Sequence, residues 1–222
     1  ANAFYNCGSL TSVSFPKSTS IGENAFSDCI HLTSVSFPKA TSIGKNAFAN
    51  CSNLTSVIIP NASEIGKGAF NSCDKLTSVT FLKAESIEYG VFYNCGSLKN
   101  VTIPNASKIG NNAFRFCEVL STLYLGATPP SVADGAFDGC PSHRNLILVA
   151  ADGTALTGAA LNAAIMNYRN HAGYDVRTNL WYGWTLPELE RNIAYATISL
   201  ENGSFQANGS QFKPGVAVSF YG

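Results

Sequence analysis

The sequence predicts an α/β solenoid built from short parallel strands, followed by a small C-terminal α+β unit. The first observation is a 22-residue period that runs through residues 1–140. A fixed period of roughly 20–50 residues is typical of stacked-repeat proteins, in which each unit buries its apolar face against its neighbours. The second observation is that the same apolar positions return in register in successive units. In one unit these positions are Leu32, Val35, Phe37, Ile43, Phe48 and Cys51.

The first half of each unit has the pattern of a short strand that ends at a proline. Val35 and Phe37 alternate with Ser34 and Ser36, so apolar and hydroxyl side chains fall on opposite faces. Pro38 then ends the strand, because proline cannot donate a hydrogen bond to a ladder. Stacking such units gives a parallel ladder of strands about 4.8 Å apart, in which the valine, phenylalanine and isoleucine columns fill a continuous core.

The second half of each unit predicts a turn followed by a very short helical segment. After an Ile-Gly pair, one position alternates between asparagine and glycine, which indicates either a residue at positive φ or a helix N-cap. The Ala-Phe-x-x-Cys segment that follows is too short for more than about two helical turns. The alternating position is occupied by Asn24, Asn46, Gly68, Gly90 and Asn112.

The seven cysteines all occupy one repeat position, and two interpretations of them are open. Their spacing is too long for a zinc motif, which pairs ligands a few residues apart. Neighbouring cysteines in a stack come near disulfide distance, but their side chains point the same way and their number is odd. We therefore favour buried, reduced thiols that act as small apolar side chains. The cysteines are Cys7, Cys29, Cys51, Cys73, Cys95, Cys117 and Cys140.

The repeating unit L-x-x-V-x-F-P…I-G-x-x-A-F-x-x-C-x-x-L resembles the BspA-like (Treponema pallidum-type) leucine-rich repeat over residues 1 to about 149. The resemblance implies a leucine-rich repeat solenoid with 22-residue units. Some positions depart from the pattern. Leu82 replaces the proline, Glu88 replaces the glycine of Ile-Gly, and Val91 replaces the alanine. We interpret these changes, and the one-residue insertion near Pro129, as degeneration toward a terminal cap.

Two domains are predicted. Residues 1–150 form the solenoid, with about six to seven units. The first unit is incomplete, which indicates a fragment of a longer protein. Residues 151–222 form a small α+β unit or a β-meander with one helix. The pattern predicts a last solenoid strand at 145–149, a helix at 157–171, a short helix that begins at Thr185, a strand at 196–200 and hairpin turns at Asn202-Gly203 and Asn208-Gly209.

Composition and motifs argue against an enzyme. Charged residues make up 13% of the chain and the formal net charge is zero, so nucleic-acid binding has no electrostatic support. The sequence contains no run of about 18 apolar residues, so it predicts no transmembrane segment. The residues show no cofactor or metal motif. A Cys140–His143 dyad is conceivable, but Cys140 shares its repeat position with six other cysteines, which favours a structural role.

Function is therefore expected on a surface, and the outward strand positions are its predicted location. The resemblance implies an extracellular or cell-surface bacterial protein that acts as a protein-binding or adhesion module toward host matrix or cell-surface proteins. Small hydroxyls dominate the predicted binding face, and larger side chains come late in it. Its residues are Ser34, Ser36, Ser56, Ile58, Ser78, Thr80, Asn100, Thr102, Thr122 and Tyr124.

An alternative function is a passive spacer that displays a C-terminal carbohydrate-binding unit. Its candidate site is the aromatic cluster of Trp181, Tyr182 and Trp184, because exposed indole rings can stack on sugars. The other interpretation, which we favour, is that this cluster is the core of the C-terminal unit.

Overall fold

The computed structural model describes residues 1–142, 144–178, 180–188, 197–200 and 203–206. The chain divides into two compact units, Ala1–Glu188 and Leu189–Gly222. Residues 151–188 thus belong to the same compact unit as the repeats, whereas the sequence placed a boundary at 150. The difference arises because the segment after the repeats adds strands to the solenoid's own sheet.

The predicted solenoid of parallel strands with 22-residue spacing is confirmed. Each repeat contributes two strands, and strands are numbered along the chain. The first strands of successive repeats are β1 (Ser12–Ser14), β3 (Ser34–Ser36), β5 (Ser56–Ile58), β7 (Ser78–Thr80), β9 (Asn100–Thr102), β11 (Thr122–Leu125) and β13 (Asn145–Leu148). The second strands are β2 (Ser20–Ile21), β4 (Ser42–Ile43), β6 (Glu64–Ile65), β8 (Ser86–Ile87), β10 (Lys108–Ile109) and β12 (Ser131–Val132).

The strands pair in parallel with equivalent residues side by side. Val35 of β3 lies between Val13 and Val57, one repeat to either side. This register keeps each apolar column pointing inward, since a slip of one residue would expose it. The prediction that strand 145–149 closes the series is also confirmed, because β13 pairs with β11.

The Ala-Phe-x-x-Cys segment forms turns rather than the expected helical turns. Asn24 has φ 49°, so the positive-φ interpretation of the alternating position is confirmed. The left-handed backbone directs alternate N–H groups along the solenoid. Asn24 N–H donates to the Lys45 carbonyl at 2.9 Å, and Phe26 N–H donates to that of Ala47 at 2.8 Å. A second column at positive φ, which the sequence analysis missed, is Asn6, Asp28, Asn50, Ser72, Asn94, Phe116 and Gly139.

Phe116 is the outlier of that second column, because a bulky residue at φ 62° is strained. We expect Phe116→Gly to be more stable than Phe116→Ala by about 1 kcal/mol, the reverse of the usual order, because only glycine adopts this backbone without cost. Both variants lose the same ring, so the comparison isolates the backbone. Urea unfolding measures the difference, and an alanine variant as stable as the glycine variant would contradict the strain.

A stack of phenylalanine rings forms the centre of the core. Consecutive rings are nearly parallel, with centroids 5.1–5.6 Å apart, and the stack runs through successive turns. The leucine, isoleucine and alanine columns around it are also buried. The stack consists of Phe4, Phe26, Phe48, Phe70, Phe92, Phe114 and Phe137.

Both strand ladders are interrupted between the third and fourth repeats. Within the described residues β5 does not pair with β7, nor β6 with β8. The cause lies in the Ile-Gly column. A Cβ on Gly44 or Gly66 would come within 2.5 or 2.6 Å of backbone in the preceding repeat. The next position in this column is Glu88, which carries a Cβ and cannot approach so closely. The turns stay joined there, since Phe70 N–H still donates to the Val91 carbonyl at 2.9 Å.

The segment after the repeats packs on the last turns of the solenoid. The predicted helix is confirmed as α1 (Gly158–Arg169), with Thr157 as its N-cap and with Leu161, Ile165 and Tyr168 buried. The Tyr168 hydroxyl donates to the Gly126 carbonyl at 3.0 Å. Strands β14 (Tyr174–Asp175), β15 (Leu180–Trp181) and β16 (Trp184–Thr185) follow. They extend the main sheet, because β16 pairs in parallel with β13.

Part of the predicted C-terminal structure lies outside the described residues. A short helix was expected to begin at Thr185, but Thr185 is the last residue of strand β16. The positions of the expected helix from 189 onward are not described. The strand at 196–200 and its hairpin are confirmed, since β17 (Thr197–Leu200) pairs antiparallel with β18 (Gly203–Gln206). The second predicted hairpin turn, Asn208-Gly209, lies outside the described residues.

Candidate functional site

The strand face of the solenoid brings all ten predicted binding residues together. They form two adjacent columns. One column consists of Ser34, Ser56, Ser78, Asn100 and Thr122, and the other consists of Ser36, Ile58, Thr80, Thr102 and Tyr124. The strand face is defined by these residues, Ser34, Ser36, Ser56, Ile58, Ser78, Thr80, Asn100, Thr102, Thr122 and Tyr124. All of them are exposed or half-buried.

Ile58 is the one strongly exposed apolar side chain of the strand face. Its side chain is 53% exposed, whereas serine and threonine occupy the equivalent positions Ser36 and Thr80. Tyr124 is half-buried, and it pairs with Ile147, which the sequence analysis did not include. The signal for Ile147 was available in the alternation of residues 145–148, but the insertion before Cys140 shifts the repeat by one residue and hides it.

The ladder interruption coincides with Ile58. In neighbouring repeats, Phe37 N–H donates to the Ile58 carbonyl and Phe81 N–H donates to that of Thr102, both at 2.9 Å. The equivalent bond from Ile59 N–H to Thr80 is missing within the described part of the chain. Ile58 is therefore an exposed apolar side chain at the point where the described strand ladder is interrupted.

The aromatic cluster is core, and the sugar-stacking alternative is corrected. Trp181 and Trp184 are both 0% exposed, so neither indole offers a face to a ligand. Trp184 packs edge-on against Phe137 with ring centroids 5.3 Å apart, which covers the open end of the phenylalanine stack. Trp181 packs in the same way on Tyr168 at 5.0 Å.

Arg144 joins this cap to the last repeat, and no pattern in the sequence marks it. Its side chain is buried, and its guanidinium lies 4.8 Å from the Trp184 ring centroid and 5.3 Å from that of Phe137. One guanidinium N–H donates to the Tyr182 carbonyl at 2.9 Å. Stacking on two rings is a property of arginine that lysine lacks.

The cysteine column is a ladder of buried thiols. Cys51 Sγ donates to the Phe26 carbonyl at 3.1 Å, and the same bond recurs in each repeat up to Cys140, where it is 3.2 Å. Burial raises the pKa of Cys51 and Cys95 to about 12 and that of Cys140 to about 11. A thiol with such a pKa is a weak nucleophile at neutral pH. His143 lies outside the described residues.

Among residues whose placement is described, no group of three His, Cys, Asp or Glu side chains is arranged to hold a metal ion. No described helix has the length and apolar character needed to cross a membrane.

A concave surface on the turn side was missed by the sequence analysis. We call it the turn groove, and its volume is about 390 Å³. Gly68 and Gly90 line it, at a position where the repeats on either side carry Asn46 and Asn112. The sequence signal for the turn groove lies in two variable repeat positions on either side of the glycines. The residues at these positions come together only when the repeats are stacked. The walls consist of Lys45, Lys67 and Tyr89 on one side and Asn71, Tyr93 and Arg115 on the other.

Comparisons with known proteins agree with this architecture. The family profile described as BspA type leucine rich repeat region matches in six copies, over residues 1–118 and 85–156. None of the curated proteins matches the chain.

Similar solved structures include two leucine-rich repeat proteins. A leucine-rich repeat protein from Bacteroides ovatus shares 28% identity at a TM-score of 0.55, over 67% of this chain and 38% of its own. The T. pallidum leucine rich repeat protein shares 30% identity at a TM-score of 0.51, over 64% of this chain and 70% of its own. The match thus spans well under half of the Bacteroides ovatus protein. The profile covers more than half of the present sequence, and the chain belongs to the BspA-type leucine-rich repeat family, whose stacked fold is a general protein-interaction scaffold.

Proposed function

We propose that the chain is an extracellular or cell-surface adhesion module that binds a matrix or cell-surface protein through the strand face. Membership in the BspA-type family supports a role in protein interaction. The observation that carries the proposal is Ile58, an apolar side chain 53% exposed in a face whose other members all carry hydroxyl or amide groups. Exposed apolar residues rimmed by polar ones are typical of protein-interaction sites.

The surroundings of Ile58 favour a protein over a sugar as the ligand. A branched aliphatic side chain has no flat face for a sugar ring, but it can fill a pocket on a protein partner. Within the described residues Ile58 lies in β5, the strand at which the ladder is interrupted, so its surroundings differ from those of the equivalent residues in the other repeats.

A non-enzymatic role is part of the same proposal. Its support is that the cysteine thiols are held by burial at a high pKa and by bonds to backbone carbonyls, as Cys51 is to Phe26. Neither feature activates a nucleophile.

The test compares Ile58→Thr with the unaltered chain on a panel of immobilised matrix proteins, with serum albumin as the unrelated surface. Threonine is the residue at the equivalent Thr80, so the repeat tolerates it. We expect binding to at least one matrix protein, weakened about tenfold by Ile58→Thr, the usual effect of removing an anchor side chain.

Val176→Thr is the matched control, because Val176 is a branched residue 79% exposed outside the strand face. It should bind as the unaltered chain does. Equal loss in both variants would refute the role of Ile58. Binding to no matrix or cell-surface protein would instead favour the passive spacer.

A further inference from the structure

We propose that the turn groove is a second binding site, and that its ligand is an acidic glycan, a sugar chain that bears carboxylate or sulfate groups. The turn groove and the strand face are formed by different segments of each repeat. The proposal is therefore independent of the function proposed above.

The shape of the turn groove follows from the repeat. It is lined in part by the positive-φ column, where Gly68 and Gly90 take the place of Asn46 and Asn112 on either side. A Cβ on Gly68 would clash with the Asn46 side chain. Two side-chain-free positions in successive repeats thus leave a trough, and the columns beside them rise as walls. Its volume of about 390 Å³ falls within the range of small-ligand sites.

The charge of the turn groove is positive and largely uncompensated. Lys45, Lys67 and Arg115 line it, and none of its lining residues is acidic. Within the described ranges only Lys45 has an ion-pair partner, Glu23 at 3.5 Å, and both side chains are well exposed. Arg115 Nε is buried without a hydrogen-bond partner in the same ranges. The Arg115 side chain as a whole is only half-buried, and the other N–H groups of its guanidinium can donate to an anionic ligand.

Arg115 is held in place by aromatic contacts. Its guanidinium lies 4.8 Å from the centroid of the Phe116 ring, and Tyr93 meets the same ring edge-on at 5.6 Å. Phe116 keeps a left-handed φ of 62° that most residues avoid. Strain of this kind persists where the surrounding structure enforces it and is concentrated at functional sites. We assign Phe116 as a positioning residue for the guanidinium.

The tyrosines indicate a sugar. Tyr89 and Tyr93 stand on opposite walls, and Tyr89 is 54% exposed. Aromatic faces pack against the apolar faces of sugar rings, and the amide of Asn71 can exchange hydrogen bonds with hydroxyls. A lining that combines two tyrosines and an amide with its cations favours a sugar chain over an acidic peptide as the ligand.

The test measures binding of the whole chain to a heparin-derived tetrasaccharide and to a trigalacturonate, with maltotriose as the neutral probe. Titration calorimetry at low and at raised salt provides the readout. We expect at least one acidic probe to bind at least tenfold more tightly than maltotriose, and to weaken as salt rises. The tetrasaccharide and the trigalacturonate separate sulfate from carboxylate recognition.

Variants assign the binding to the turn groove. Arg115→Gln and Tyr93→Leu should each weaken the acidic probe about tenfold. Lys99→Gln makes the same change of net charge at an exposed lysine outside the turn groove and should have no effect. Phe116→Gly should weaken binding although it relieves backbone strain, a combination that a purely structural role would not produce.

Several outcomes would overturn the proposal. They are equal loss in Lys99→Gln and Arg115→Gln, equal affinity for maltotriose, no binding of either acidic probe, or tight binding of a polyglutamate peptide alone. Ile58→Thr serves as a further control, because it removes the anchor of the strand face and should leave glycan binding intact.

Discussion

The free energy of unfolding should fall steeply as the pH rises above about 9, because five buried thiols ionise when the chain unfolds. Burial raises the pKa of Cys51 and Cys95 from 9.0 to about 12, and it raises those of Cys73 and Cys117 as well. A thiol whose pKa is raised by folding stabilises the fold fully below its unfolded pKa. That stabilisation is lost as the pH rises through the folded value.

The size of the effect follows from the window between the two pKa values. Each fully buried thiol removes about 1.4 kcal/mol from the free energy of unfolding per pH unit between about 9 and about 12. Cys51, Cys73, Cys95 and Cys117, whose pKa values are raised most, would together remove about 5–6 kcal/mol per unit. A domain of this size is stabilised by roughly 5–15 kcal/mol. Cooperative unfolding is therefore expected within one to two units above about pH 9.

Urea unfolding under reducing conditions, repeated from about pH 7 to about pH 11, measures this dependence. A Cys51→Ala/Cys95→Ala double variant is the matched control. It should be less stable than the unaltered chain at neutral pH, yet lose stability less steeply, by about 2.7 kcal/mol per pH unit for the two thiols removed. The same alkaline slope in both proteins would show that the thiols are not the titrating groups.

Periodicity carried most of the fold prediction. A residue such as Val35 recurs with its neighbours every 22 positions, so its environment is set by copies of itself and one unit predicts the whole stack. The positive-φ column was predictable for the same reason, since only glycine and asparagine recur there. The prediction of buried thiols also followed from the repeat, because cysteines at one repeat position of a stack share the same environment.

The features that escaped prediction are those that depart from the repeat. Glu88 was noted as a departure from the repeat. Its effect on the strand ladder depends on how closely Gly66 approaches the preceding turn, and a sequence pattern does not contain that distance. The turn groove depends on side chains that are 22 or more residues apart, and no column motif marks them. Arg144 was missed because a buried arginine without a carboxylate is rare, and only the two rings beside it make the burial possible.

Phe48→Ala is the second change with a large expected effect, a loss of about 3–5 kcal/mol in the free energy of unfolding. Phe48 is 0% exposed and stacks between Phe26 at 5.4 Å and Phe70 at 5.3 Å, with interplanar angles of 6° and 14°. Truncation leaves a cavity that touches three repeats. The surrounding backbone cannot close it, because its hydrogen bonds to neighbouring turns fix the spacing of the stack.

A conservative variant and a measurement at a distant repeat test the cause of that loss. Phe48→Leu keeps most of the volume and should cost less than half as much, which urea unfolding of both variants would show. Because each repeat contacts only its neighbours, Phe48→Ala should also speed amide exchange in the first to third repeats more than around Phe137, where Trp184 caps the stack at 5.3 Å. Uniform acceleration along the whole solenoid would mean that the turns unfold as one cooperative block, and that the ladder interruption at Glu88 does not divide it.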